Sequence, residues 1–439
     1  MSDPSKSNER KKTMKRMIKG YVLGICLLLN VVPSTVDASI GQKCKKLGET
    51  KQSVIKSKTV ALKCSSQGKK KVWKQLTGDT TYGAKVFESS AAKFVNMAIA
   101  VRSQEAQCML VMKNGKVIAE WNWDSYSANT NIEIASATKS FASTLIGIAI
   151  RKGVFGLDDL ASRYITEWIG TPKQNITIRH LLAMTSGLED FSVSNPAINL
   201  TTPGLNLESL VTNASQLAVG GTYSGARRYV LPGKTWSYIN INTMSLSILL
   251  KRATGETVQS FAQRELFLPL GMTIEMTLDA NNNPPLAVGM RAGCDDVGRL
   301  VQLYLNAGEW NGLQILTASF VKEAVSPQVT CGECINIPNT FEVSLMNGAY
   351  GLNWWNNAVS PYAVGAFGTE KTGPKMPDLP TDMFYSYGSC QQLGAGLPTQ
   401  QLVVVVLRKG CDDPVQASLY ATNTGPGSTF MDELTKAYK

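Results

Sequence analysis

Histidine is almost absent: among 439 residues only His180 is present. A metal centre built from imidazoles is thereby excluded, and a Ser-His-Asp triad would have to use His180. That residue sits among Arg179, Leu181 and Leu182 in a helical apolar pattern and reads as a structural histidine. Long apolar runs are missing too. The N-terminal run "YVLGICLLLNVV" falls short of the about 20 residues that a bilayer span requires, and no later stretch is long enough. Acidic residues are scarce in one place, since residues 41–75 hold eleven Lys against the single acid Glu49. Residues 1–38 add seven Lys or Arg against three acids, so the net charge of +11 belongs to the N-terminal part. The rest of the chain, with 26 basic and 29 acidic residues, is slightly acidic. A basic stretch of this kind could touch nucleic acid or an anionic surface; the plainer reading is a solvated Lys-rich extension, and no nucleic-acid partner is expected.

What is present is the composition of a globular protein, 44% hydrophobic and 18% charged, long enough for one large domain or two closely joined ones. "KKTMKRMIKG" precedes the apolar run, and Val36 and Ala38 then fit a small-residue cleavage rule. Residues 1–38 read as a signal peptide or N-terminal anchor of an exported protein, periplasmic or secreted. Membrane contact is expected only if that apolar segment is retained. Outside the leader, which contains Cys26, eight cysteines remain: Cys44, Cys64, Cys108, Cys294, Cys331, Cys334, Cys390 and Cys411. An even number in an exported chain permits disulfides without fixing their pairing. Cys44 with Cys64 would staple the Lys-rich extension, residues 39–80. "CGEC" at Cys331 to Cys334 reads as a tight structural loop, because no thioredoxin-like strand and helix surround it and a second CxxC for zinc is lacking.

Farther along, "AQCMLVMKNGKVIAEWNW" reads as two strands joined at Asn114 and Gly115. In "SATKSFASTLIGIAIRKG", Phe141, Leu145, Ile148 and Ala149 recur at helical spacing and Gly153 is a C-cap. "CDDVGRLVQLYLNAGEWNG" is a second amphipathic helix, and "CQQLGAGLPTQQLVVVVLRKG" gives two strands across a turn at Pro398 and Thr399. Strands at both ends around a helical middle imply a sheet assembled from distant segments, with helices on its faces and a mostly helical insert, of the α/β (α+β) class.

Ser136 falls in the first turn of that first helix, and Lys139 lies one turn on, on the same face. A lysine in that position brings its amine within reach of the serine hydroxyl, and it serves as a base when burial depresses its pKa. The pattern SxxK alone is common. In "WSYIN", Tyr238 and Asn240 share one side of an extended segment, where a phenol can carry a proton and an amide can orient an acyl group.

Together with "SATKS", the segments "GVFGLDDLASRYI", "ITIRHLLAMTSGL", "LPGKTWSYININTMSLSILLKRATGE", "LFLPLGM", "GLNWW" and "DMFYSYGSCQQ" follow one another in an order that resembles the serine beta-lactamase and penicillin-binding protein superfamily. The likeness is to its class C beta-lactamase-like branch, with carboxylesterases and 6-aminohexanoate-dimer hydrolase. The resemblance implies a beta-lactamase/transpeptidase-like fold over residues 81–439: an antiparallel sheet flanked by helices, with a mostly helical subdomain. It implies Ser136 as acyl-accepting nucleophile, Lys139 as its base, Tyr238 as proton carrier and Asn240 as a ligand of the substrate's carbonyl side. The backbone N–H of Ser136 and one from the strand after Gly388 would form an oxyanion hole, and the site would need no metal or cofactor. The third family motif is the point of departure. "EKTG" at Glu370 to Gly373 spells the lysine-containing version, but it lies too far before the apolar strand "LVVVVL". "FYSYGSCQQ" has the better spacing, so the motif is assigned to Ser386, Tyr387 and Gly388, with Ser389 beside them as a further substrate contact. Without that lysine, a small-molecule or peptide-like ester or linear amide is the expected substrate rather than a penicillin. The alternative is a catalytically weak penicillin-binding-like protein that recognises cell-wall peptide or another partner. Sequons at Asn175, Asn199 and Asn213 carry little weight, and residues 188–225 read as an irregular loop bordering the pocket.

Overall fold

The computed structural model describes residues 43, 50–55, 58–67, 70–75, 85–86, 88–124, 126, 130–189, 205–215, 218–219, 228–229, 231–233, 236–328, 349–364, 369–409 and 430–439. The leader, the Cys44–Cys64 staple, Asn199, the CGEC loop and much of the loop at 188–225 lie outside them. The chain divides into two units, residues 1–76 and 77–439. In the first, strands Thr50–Ile55, Lys58–Gln67 and Lys70–Gln75 form an antiparallel meander with Lys63 opposite Lys74. The Lys-rich stretch therefore has a paired backbone. Its lysines alternate with strand formers such as Val54, Val60, Val72 and Trp73, which favour pairing over coil.

The second unit is built on a seven-stranded antiparallel sheet. Its strands run in the order Trp355–Asn356, Phe384–Gly388, Gln392–Leu397, Leu402–Arg408, Ala106–Lys113, Lys116–Asn122, Lys85–Val86. The late Leu402–Arg408 strand pairs with the early Ala106–Lys113 strand, so both ends of the unit meet in the sheet centre. Asn114 and Gly115, with φ of 50° and 73°, make the two-residue hairpin turn that their side chains favour.

The run "LVVVVL" lacks the alternation of a half-exposed strand because the sheet is covered on both faces. Cys108, Leu110 and Met112 share one face with their partners Leu407, Val405 and Val403, and the Cys294–Leu305 helix packs there. Gly298 permits the close approach, since a Cβ on it would fall 2.7 Å from Leu110 Cδ2. The Thr138–Arg151 and Asn240–Thr254 helices join the same core. With the short helices Ile178–Leu182, Leu207–Thr212 and Val258–Ala262 they make the mostly helical subdomain. The fold is thus the beta-lactamase/transpeptidase-like α+β architecture expected from sequence. Among the described residues no helix is long and apolar enough to cross a membrane.

Two ties hold distant parts of this unit. The Cys108–Cys294 disulfide joins a central strand to the first residue of the helix that covers it, across a separation of 186 residues. Cys390 is also disulfide-bonded, to a partner outside the described residues. His180 is the other tie. Thr177 Oγ1 accepts the His180 N–H, and His180 Nδ1 accepts the Thr177 N–H at 3.2 Å, a capping box in which imidazole replaces the usual Glu or Gln. A Cβ on Gly233, whose φ is 81°, would come to 3.0 Å from His180 Nε2. Burial, then the charge of Arg179, lower the pKa of the ring, and Asp158 opposes them only in part.

Two outcomes follow. Replacing both Cys108 and Cys294 by alanine lowers the unfolding free energy by about 2–5 kcal/mol, read from denaturant midpoints. Because the folded pKa of His180 is depressed, its contribution is complete above the unfolded value near 6.5 and is lost as pH falls through the lower folded value. The thermal midpoint should fall between pH 7 and 5 more steeply in wild type than in His180→Gln, whose amide oxygen keeps the capping acceptor without titrating.

Candidate active site

Ser136 is the central residue of a single 3-10 turn, Ala135–Ala137, that leads into the Thr138–Arg151 helix. Ala135 holds the left-handed conformation at φ 46°, an unfavourable state for a residue with a Cβ, and so turns the chain sharply just before Ser136. The first three side chains of the helix, Thr138, Lys139 and Ser140, are buried, and each reaches a different segment. Thr138 Oγ1 accepts the Met290 N–H at 3.3 Å, and Ser140 Oγ donates to the Asn353 carbonyl at 2.9 Å. Between them, Lys139 Nζ lies 3.1 Å from Ser136 Oγ, 2.9 Å from Asn240 Oδ1 and 2.9 Å from the Ala287 carbonyl oxygen. Lys139 is only 1% exposed.

This geometry suits an amine that changes its protonation state. As a neutral base, Nζ presents a lone pair to Ser136 Oγ and gives its two hydrogens to Asn240 and Ala287. As an ammonium, it has a third hydrogen for Ser136 Oγ, so all three protons keep acceptors. Both states are satisfied without movement, which a buried charge requires.

Tyr238 and Asn240 flank Ile239, whose extended backbone at φ −135° and ψ 148° puts them on one side. The extended segment ends there, because Asn240 is the first residue of the Asn240–Thr254 helix. The Tyr238 ring centroid lies 4.8 Å from Lys139 Nζ. Aromatic rings enclose that phenol: Trp355 stacks on it at 5.3 Å, Tyr350 meets it edge-on at 5.9 Å, and Trp236 lies 6.2 Å away. Their apolar surroundings fix the ring on two sides and restrict water around it.

Gly388 ends the Phe384–Gly388 strand against the Ala135–Ala137 turn. A Cβ there would collide with the Ile134 carbonyl oxygen and fall 3.1 Å from Ser136 N, so only glycine lets the strand come so near. Tyr387 is half-buried, and Ser389 is exposed at the start of a 3-10 turn. Ser386 differs from the other members of its motif. Its side chain is 1% exposed and donates to the Gly394 carbonyl within the sheet, on the face covered by the Cys294–Leu305 helix. Thr369–Gly373, the KTG segment, pairs instead with Ser360–Val364 in a separate two-stranded ribbon. His180 Nδ1 is engaged by the Thr177 N–H.

The sequence reading gave no role to Ala287, whose contribution is a backbone carbonyl and has no side-chain signal. Nor did it give one to Trp236, Tyr350 or Trp355. Two of these lie within quoted motifs, "KTWSYIN" and "GLNWW", but their convergence on Tyr238 joins segments more than 110 residues apart.

The beta-lactamase family model matches residues 102–416. Penicillin-binding protein 4* of Bacillus subtilis (strain 168) is 29% identical over 147 residues, which is 33% of this chain and 30% of that protein. The matched part thus spans less than a third of that relative's length. Among solved structures, a protein described as a 6-aminohexanoate-dimer hydrolase from Bacillus anthracis superposes with a TM-score of 0.51 at 21% identity, covering 74% of this chain and 79% of its own. EstCE1, a hydrolase with promiscuous acyltransferase activity, does so with a TM-score of 0.53 at 17% identity, covering 76% and 98%. At these identities the two structures attest the fold alone. The family match takes in the central sheet, the Ser136 turn, the Tyr238 segment and the Gly388 strand, and the chain belongs to the beta-lactamase family.

Proposed function

We propose that the protein is a serine hydrolase that forms an acyl-enzyme on Ser136 and cleaves an ester or an amide. The observation that carries this reading is the placement of Lys139 Nζ, within hydrogen-bond reach of Ser136 Oγ and of two further acceptors in a nearly dry site. Ser136 gives its proton to Lys139 as Oγ attacks the acyl carbon. The carbonyl oxygen becomes an oxyanion, stabilised by the Ser136 N–H and a backbone N–H beyond Gly388. Tyr238 relays a proton to the leaving group, whose bond to the acyl carbon breaks, and water then releases the acyl group by the reverse relay. Asn240 holds Lys139 through its side-chain oxygen and leaves its amide nitrogen to orient the acyl carbonyl side.

The substrate is proposed from the strand beside the nucleophile. Phe384–Gly388 reads Phe, Tyr, Ser, Tyr, Gly and contributes no cation, so a carboxylate at that position gains no ion pair from it. An uncharged acyl ester or linear amide suits the aromatic surroundings better than a penicillin. Export is proposed from the leader-like N-terminus and agrees with the disulfides at Cys108–Cys294 and Cys390.

The deciding experiment is intact mass after exposure to a fluorophosphonate, with turnover of p-nitrophenyl esters and nitrocefin alongside. One label per wild-type chain, ester turnover in excess of nitrocefin turnover, and loss of both label and turnover in Ser136→Ala are expected. A Ser136→Ala protein that still takes the label would sink the mechanism. Lys139→Met is expected to slow acylation by about 10²–10⁴-fold while the fold persists. Gly388→Ala should slow it by about 10²–10³-fold, because displacing the strand costs an oxyanion donor; labelling at the wild-type rate would remove Gly388 from the site.

A further inference from the structure

We infer that Glu133 is a positioning residue, whose carboxylate locks the nucleophile turn to the loop that holds Lys139; the inference rests on the acyl-enzyme reading of Ser136. Glu133 Oε1 accepts two backbone N–H groups at 3.1 Å each, from Ala135 and from Gly289. Ala135 is the left-handed residue immediately before Ser136. Gly289, at φ 90°, stands two residues after Ala287, whose carbonyl accepts from Lys139 Nζ. One oxygen atom therefore sits between the two backbone segments that determine how far Ser136 Oγ lies from Lys139 and where Lys139 points.

Neighbouring bonds show why a side-chain clasp is needed there. Ile134 N donates to the Met290 carbonyl at 3.0 Å, and the Met290 N–H goes to Thr138 Oγ1, so the two segments run together on either side of the clasp. At the bend itself a regular ladder stops, because Ala135 turns into the left-handed region. Its N–H points away from any strand partner and takes the carboxylate instead. The main chain of Glu133 is held as well: its carbonyl accepts from Gln392 Nε2 at 2.9 Å, and Gln392 also binds the backbone of Arg408. Glu133 is thereby tied to the strand that follows Gly388 in the chain. An ionised carboxylate makes stronger bonds to N–H groups than a neutral acceptor, which helps to hold Ala135 in its unfavourable state. Without it, the turn relaxes, Ser136 Oγ leaves Lys139 Nζ, and the Ala287 carbonyl shifts on the other side of the amine. Substrate contacts at Asn240 and Gly388 are not altered directly.

The test compares Glu133→Ala and Glu133→Gln with wild type in the full chain. Glutamine keeps an oxygen acceptor at the same reach, whereas alanine leaves both N–H groups without it. Expected for Glu133→Ala is a fall of about 100-fold in fluorophosphonate labelling rate and in kcat for a p-nitrophenyl ester, as for a misplacement of about 1 Å. KM should stay within about threefold, since substrate binding is untouched. Glu133→Gln should return to within about tenfold of wild type, because the geometry survives and only the charge is lost. Amide hydrogen exchange at Ala135 and Gly289 supplies a readout that needs no catalysis: protection is lost in Glu133→Ala and retained in Glu133→Gln. Wild-type labelling and protection in Glu133→Ala would overturn the inference, as would a folded Glu133→Gln no better than the alanine variant. If Glu133→Ala does not fold, wild-type-like exchange and labelling in Glu133→Gln support the clasp, and loss of both overturns it. Failure of the Ser136 reading looks different, since then Ser136→Ala labels like wild type while the exchange result for Glu133 still stands or falls by itself.

Discussion

An amine taken out of water must find an acceptor for each hydrogen it carries, and in this protein that requirement falls on Lys139. Its acceptors come from the turn that leads into its own helix, from the Asn240 helix 101 residues later and from a loop 148 residues away. Burial without them would cost several kcal/mol, so the three segments are compelled to meet at one nitrogen. The adjoining Thr138 and Ser140 extend the same demand to Met290 and Asn353. The Thr138–Arg151 helix is thus buried along most of its length for a chemical reason as well as a packing one, and the rest of the core is arranged around it.

The aromatic rings around Tyr238 are a second layer of the same arrangement. Trp236, Tyr350 and Trp355 pack around the phenol and keep it at a fixed distance from the amine. Trp355 belongs to a two-residue strand paired with Phe384 and Tyr385, so the ring that stacks on Tyr238 is placed by the strand that also delivers Gly388. The ring that stacks on Tyr238 and the glycine beside Ser136 are therefore carried by paired strands, and a shift in one reaches the other.

Much of this was legible in the sequence, and the reasons can be traced to residues. Asn114 and Gly115 announced a hairpin because few other pairs tolerate two left-handed positions. The helical spacing of Phe141, Leu145 and Ile148 located the Thr138–Arg151 helix, and Ser136 and Lys139 came with it. Three things were not legible. The Ala287 carbonyl carries no side-chain mark. Ser386 alternates away from Gly388's neighbours in a way that only the register with Gly394 reveals. The Lys-rich N-terminal stretch hid its strands, because charge dominated its composition while the residues between the lysines were strand formers. The lysine of KTG shows the opposite hazard, a motif spelled correctly on a ribbon separate from the sheet that bears Gly388.

Among the described residues, the main sheet ends on both sides in strands of two residues, Lys85–Val86 and Trp355–Asn356. A wide sheet with apolar central strands is a hazard in a folding chain, because each uncovered border invites another chain to add itself. Here the long valine-rich strands lie at the centre, and what faces outward is too short to template a neighbour. The same device that terminates the sheet thus guards against fibre growth, at the cost of only four residues of pairing.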